Sequence, residues 1–172
     1  MTSPTSTPAL LSHALTVMPD PETPAHGLIT ITLGLPDPDA PPVYCRQLTL
    51  AVPTGAGPRA LTTHQNIQTV TTKVPEPRRD LPGRRWYIIR MPADRDTTLF
   101  ICRPQGTGGS RYAEFAEAAA TVTLSIGNIV TGPDVAEVAV DLTELTSADR
   151  TDGYTTKSAR VQLATGPLPA VR

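Results

Sequence analysis

Leu28-Ile29-Thr30-Ile31-Thr32-Leu33 and Ala120-Thr121-Val122-Thr123-Leu124-Ser125-Ile126 alternate apolar and hydroxylated residues. Successive side chains of a strand point to opposite faces, so each stretch has one dry face and one wet face. Threonine suits the wet face, because its β-branched side chain is stiff at χ1 and still meets water. The alternation extends outward from these two stretches over most of the chain. It sets the fold class as all-β and antiparallel.

The pattern predicts strands over 14–17, 27–35, 43–52, 64–74, 85–91, 97–103, 121–126, 135–142 and 154–163. Ile29, Ile31 and Leu33 share one face, as do Leu48, Leu50 and Val52. Ile88, Leu124 and Val140 complete the expected core. Before Leu48 the register is ambiguous, and Arg46-Gln47 marks a bulge. The segment 64–74, rich in Thr and Gln, belongs at a sheet edge. Ala93–Asp96 has turn composition and joins 85–91 to 97–103 as a hairpin. Nineteen prolines and twelve glycines sit mostly between the apolar runs, where they punctuate strands. One short helix is expected over 110–120, with Ser110 as a cap and Tyr112, Phe115 and Ala119 on one side. The fold expected is an antiparallel β-sandwich of about eight strands with one short helix. A flexible arm (1–12) precedes the sandwich domain (13–165), and a tail (166–172) follows it.

At 172 residues with 39% apolar content, one folded domain is the simplest organisation. Aromatics make up only 4%, so the core is built mainly from Val, Leu, Ile and Ala. The net charge of -1 provides no overall field for nucleic acid or an anionic membrane surface. No run reaches the ~20 apolar residues of a membrane-spanning helix. The N-terminal stretch has neither a basic n-region nor a long apolar h-region. The expected location is therefore the cytoplasm, or outside the cell by a route without a recognisable cleavable signal. Cys45 and Cys102 both lie in strand-like apolar runs. They read as two buried small hydrophobes or as a disulfide joining two strands.

The stretch LTVMPDPETPAHGLITITL, residues 15–33, combines a short strand, a Pro-rich link, a glycine and a Thr-rich strand. It resembles the opening of bacterial immunoglobulin-like surface modules. The resemblance implies a sandwich and carries no residue-level function. Trp86 lies far beyond Cys45 and shortly before Cys102, which departs from the Cys-Trp-Cys spacing of true immunoglobulin domains.

No catalytic set is visible, and a non-enzyme is expected. His13, His26 and His64 stand apart at no metal-ligand spacing, so neither a metal nor another cofactor is expected. There is no Gly-x-Ser-x-Gly elbow. Residues 106–110 are glycine-rich but lack the Gly-Lys-Ser/Thr ending of a phosphate loop. Asp141 and Glu144 read as a solvated strand end.

One charge asymmetry stands out. Arg78, Arg79, Arg84, Arg85, Arg90, Arg95 and Arg103 account for seven of thirteen arginines, with Trp86 and Tyr87 among them. Arg and aromatic side chains concentrate in interface hot spots. The residues named for partner binding are Arg78, Arg79, Arg84, Arg85, Trp86 and Tyr87. The bland alternative is a set of solvated charges around a core tryptophan. Asp134, Glu137, Asp141, Glu144, Asp149 and Asp152 form the acidic counterpart. The expected function is a non-catalytic interaction or structural protein, self-associating or docking to a protein partner. A lectin-like or toxin-like ligand-binding protein is the alternative.

Overall fold

A computed structural model describes residues 9–106, 110–117, 119–132, 135 and 137–165. The strands are β1 (Ser12–Pro19), β2 (Gly27–Gly34), β3 (Val43–Pro53), β4 (Thr71–Lys73), β5 (Arg85–Asp94), β6 (Thr97–Gln105), β7 (Ala113–Phe115), β8 (Val122–Ile129), β9 (Glu137–Ser147) and β10 (Thr155–Ala164). They form two antiparallel sheets. The smaller runs β1-β2-β8-β4, and the larger runs β10-β9-β3-β6-β5 with β7 beside β3. The all-β sandwich read from the alternation is what the chain forms. No helix among the described residues is long and apolar enough to cross a membrane.

The dry faces meet as the alternation requires. Ile29, Ile31, Leu33, Val122, Leu124 and Ile126 come from the smaller sheet. Leu48, Leu50, Val52, Phe100, Val138, Val140 and Leu142 answer them from the larger one. Each such buried side chain contributes about 1.5–3 kcal/mol relative to leaving it in water. Ile88 is only partly buried, because it sits on the edge strand β5. The hairpin β5–β6 forms across Arg95-Asp96. The bulge also falls where the sequence placed it. Cys45 pairs with Thr146 and Gln47 with Leu145, leaving Arg46 as the extra residue.

Several elements differ from the sequence reading. The described residues of 110–120 hold no helix, although Ala and Glu favour one. Ala113–Phe115 instead extends and pairs with Val43–Cys45. Ala113 and Phe115 are buried and Glu114 is exposed, so burial of two side chains overrides local propensity. Over 64–74 only Thr71–Lys73 is a strand. Asn66–Gln68 forms a 3-10 turn that sends Ile67 into the core. There Asn66 accepts from Thr62 Oγ1 at 2.6 Å and from the Val130 backbone at 3.0 Å, side-chain bonding that competes with an extended ladder. Strand β8 runs on through Gly127 to Ile129, where a loop was expected.

Strand β9 also continues past Leu142, so Glu144 is not a solvated strand end. It lies in phase with Val138, Val140 and Leu142 and is fully buried. Packing likewise starts before residue 13, since Leu11 is buried and the Leu11 N–H donates to Glu144. The rest of the arm (1–8), the tail (166–172), residues 107–109 of the glycine-rich loop and Asp134 lie outside the described residues.

Candidate functional site

The outer face of the larger sheet carries a groove of about 1050 Å³ at the end nearest the Arg46 bulge. The bulge creates it. Cys45 and Leu48 both point inward with two residues between them, so Arg46 and Gln47 turn to the same outer face. Arg103 reaches the groove from β6, Tyr87 from β5, and Arg111 and Tyr112 from the approach to β7. Tyr44 stacks edge-to-face on Tyr112, with ring centroids 5.7 Å apart. The Arg46 guanidinium lies 3.9 Å from the centroid of the Tyr154 ring. All four tyrosines of the chain thus gather at one end of one face.

Hydrogen bonds fix the groove's walls. Arg103 Nε donates to Gln47 Oε1 at 3.0 Å, and the Tyr87 hydroxyl donates to Gln105 Oε1 at 2.7 Å. Burial pushes the Tyr44 phenol up, and nearby Glu114 adds to the shift. Burial also pushes Tyr154 up, against the opposing charge of Arg46. Both therefore stay neutral at ordinary pH. Among the described residues, Arg46, Arg103 and Arg111 make no ion pair, whereas Arg160 is paired with Asp141 and Arg78 with Asp80. Among the described residues no carboxylate lines the groove. Three guanidiniums therefore offer donors to an outside acceptor, and guanidinium geometry suits carboxylate or phosphate.

Next to the groove runs an apolar row. Tyr87, Ile89 and Met91 point outward from β5 and are 44%, 46% and 44% exposed. Ile89 faces Ile101 across the hairpin, and Met91 faces Leu99. Strand β5 is also the edge of its sheet, paired only with β6. An exposed large apolar residue is unremarkable singly, whereas these three form a contiguous row along one sheet edge.

The residues named from sequence divide. Tyr87 and Arg103 line the groove, and Arg85 lies on the same outer face in register with Gln105. Arg79 and Arg84 line a smaller cavity of about 450 Å³ with Asp80, Glu114 and Glu117, where the signs are mixed. Arg78 is paired with Asp80 at 3.5 Å. Trp86 is 1% exposed, so it belongs to the core rather than to the surface. Its indole donates to the Pro82 carbonyl at 2.7 Å, under a turn closed by Arg84 N–H to Leu81 O at 2.9 Å. Pro82 followed by Gly83 at φ +79 is the residue pair a type II turn requires. Sequence reasoning missed Arg46, Arg111 and Tyr112 as site residues. Only the bulge at Arg46 gave a signal.

Elsewhere the buried polar groups already have partners. Glu144 accepts from the Leu10 and Leu11 backbone, from Thr146 Oγ1 at 3.0 Å, and lies 2.9 Å from His13 Nε2. Thr146 Oγ1 in turn accepts from the buried Lys157 Nζ at 3.0 Å. This chain ties β1 of one sheet to β9 and β10 of the other. Cys45 and Cys102 are buried and free, and burial pushes both thiols up to about 12. Among the described residues no group of three or more His, Cys, Asp or Glu could hold a metal ion. The chain matches no protein-family model and no curated protein.

Proposed function

We propose that this protein is a non-catalytic interaction module that docks a protein partner on the outer face of its larger sheet. One observation carries the reading. All four tyrosines meet Arg46, Arg103 and Arg111, which make no ion pair among the described residues, beside the exposed row Tyr87, Ile89 and Met91 on an edge strand. Tyr and Arg are the side chains that dominate binding hot spots, since they bury large area while keeping directional donors. Burial holds both thiols protonated, and the buried carboxylate Glu144 is enclosed by its own donors.

The acidic run offered by the sequence as a self-complementary surface is dispersed. Glu144 is buried, and Asp141 is neutralised by Arg160 at 3.0 Å. This favours a different chain over a second copy as the partner. A ligand-binding, lectin-like reading draws support from the tyrosines with Gln47, Gln105 and Ser110 in the same groove.

In vivo cross-linking followed by mass spectrometry tests the proposal in the cells that make the protein. A partner should cross-link through β5 and the groove. Ile89→Arg should abolish the cross-link, while Ser158→Arg on β10 at the opposite edge should leave it intact. A cross-link pattern unchanged by Ile89→Arg would refute this surface.

A further inference from the structure

We infer that the groove receives an acidic, extended segment of the partner protein, running from the arginines along β5 past Ile89 and Met91. The inference rests on the docking reading above and adds the chemistry of what docks. Its first support is charge. Among the described residues, Arg46, Arg103 and Arg111 face the groove with no carboxylate in its lining and no ion pair. Guanidinium groups held by Gln47 and by the Tyr154 ring are already oriented, so less freedom is lost when a carboxylate arrives.

The second support is shape. From Tyr87 to Met91 the strand spans about 13 Å at about 3.3 Å per residue, so four or five extended partner residues cover it. Ile89 and Met91 lie two residues apart on one face, which matches the side-chain period of a strand laid alongside. Among the described residues no strand pairs with β5 on its other side, so such a strand can also bond its backbone.

The third support is the weakness of the competing chemistry. Nucleic acid needs a longer basic track than three arginines, because its affinity comes from neutralising successive phosphates. On this face the basic groove gives way to the aliphatic pair Ile89 and Met91 and to Asp141 paired with Arg160. Aliphatic side chains favour a peptide there over stacked bases.

The test uses the full chain and fluorescence anisotropy. The probe is a labelled synthetic peptide of about ten residues, alternating Val and Thr and ending in three Glu, long enough to follow β5 at about 3.3 Å per residue. Controls are the same peptide ending in Gln and a single-stranded oligothymidine. The Glu peptide should bind, and binding should weaken as salt rises from about 0.05 M to about 0.5 M, where the Debye length falls to roughly 4 Å. Joint replacement Arg46→Gln, Arg103→Gln and Arg111→Gln should weaken it about thirtyfold, the combined effect of three modest charge contacts. All three positions are exposed, and an unchanged thermal melt checks the fold. Equal binding of the Glu and Gln peptides, or no effect of the triple replacement, overturns the acidic segment. If Ile89→Arg still abolishes binding in that case, the docking surface survives without it. Oligothymidine binding tighter than the Glu peptide overturns it in favour of nucleic acid, and absence of any peptide binding overturns it outright.

Discussion

Replacing Glu144 with glutamine should destabilise the sandwich by about 2–4 kcal/mol, because the carboxylate holds the N-terminal strand across the two sheets. Four groups converge on it: the Leu10 and Leu11 N–H, the Thr146 hydroxyl and His13 Nε2. A glutamine oxygen accepts from about two of them. His13 can change tautomer to meet the new amide, and the Thr146 hydroxyl can rotate. One buried backbone N–H is then left without a partner, at about 1–3 kcal/mol, and the charge assistance of the rest is lost, adding about 1 kcal/mol. The pH dependence is a second readout. Burial alone would raise the Glu144 carboxyl, but hydrogen bonds from His13, Leu10 and Thr146 outweigh it and hold the group below its ordinary 4.5. A depressed carboxylate stabilises the fold fully above its unfolded value, and the contribution vanishes as pH falls through the folded value. The native protein should therefore lose this increment below about pH 4.5, and Glu144→Gln should not. Urea unfolding followed by the emission of Trp86, the only tryptophan and buried in the native state, measures both. A difference under about 1 kcal/mol at pH 7, or identical acid limbs, would refute the strap.

Three further outcomes follow from the core and its turns. Leu50→Ala, fully buried in the middle of β3, should cost about 2–5 kcal/mol in the same urea titration. Gly83→Ala should lower the melting temperature, since an added Cβ would lie 2.7 Å from Pro104 Cβ and 2.9 Å from Ala113 Cβ at a φ of +79. A melt unchanged by that substitution would mean the turn under Trp86 is free to shift. Cys45 and Cys102, buried with thiols pushed up to about 12, should resist an aromatic disulfide reagent at pH 8 and react once urea unfolds the chain. Rapid reaction without denaturant would contradict their burial.

The strands were legible where alternation was uninterrupted. Ile29, Ile31 and Leu33 gave both the strand and its inner face, and all three are buried. The bulge was legible too, because Cys45 and Leu48 share a face at a spacing of three, which a regular strand forbids. Glu144 was readable but misread. It continues the phase of Val138, Val140 and Leu142, and a charged residue there looked like a strand end. The helix expected near residue 113 failed for another reason. Ala and Glu report local propensity, while Ala113 and Phe115 are fixed by pairing with Val43 and Cys45 some seventy residues away. The groove was least legible. Tyr44, Tyr87, Tyr112 and Tyr154 sit on four separate segments, and only the long-range strand order brings them together.

The build of the other sheet edges supports placing the proposed docking on β5. Strand β4 is three residues long, fully exposed and carries Lys73, so it offers little backbone and a charge that deters pairing. Strand β1 ends at Pro19, and the Glu144 strap holds its start against the other sheet. Strand β10 bears Arg160, paired with Asp141 on its outer face. Each of these edges is blunted by shortness, proline or charge. Strand β5 is ten residues long, and its outward face runs Arg85, Tyr87, Ile89 and Met91 before Pro92 and a register irregularity near its end. A long apolar edge left open invites unwanted pairing, which proteins suppress unless something is meant to cover it. The same edge borders the groove, where Arg46, Arg103 and Arg111 make no ion pair among the described residues, so a segment laid on it would meet positive charge at one end and an aliphatic track along its length. Backbone, charge and apolar surface thus converge on one strand, and a partner segment that satisfies all three at once is selected over one that satisfies only the edge.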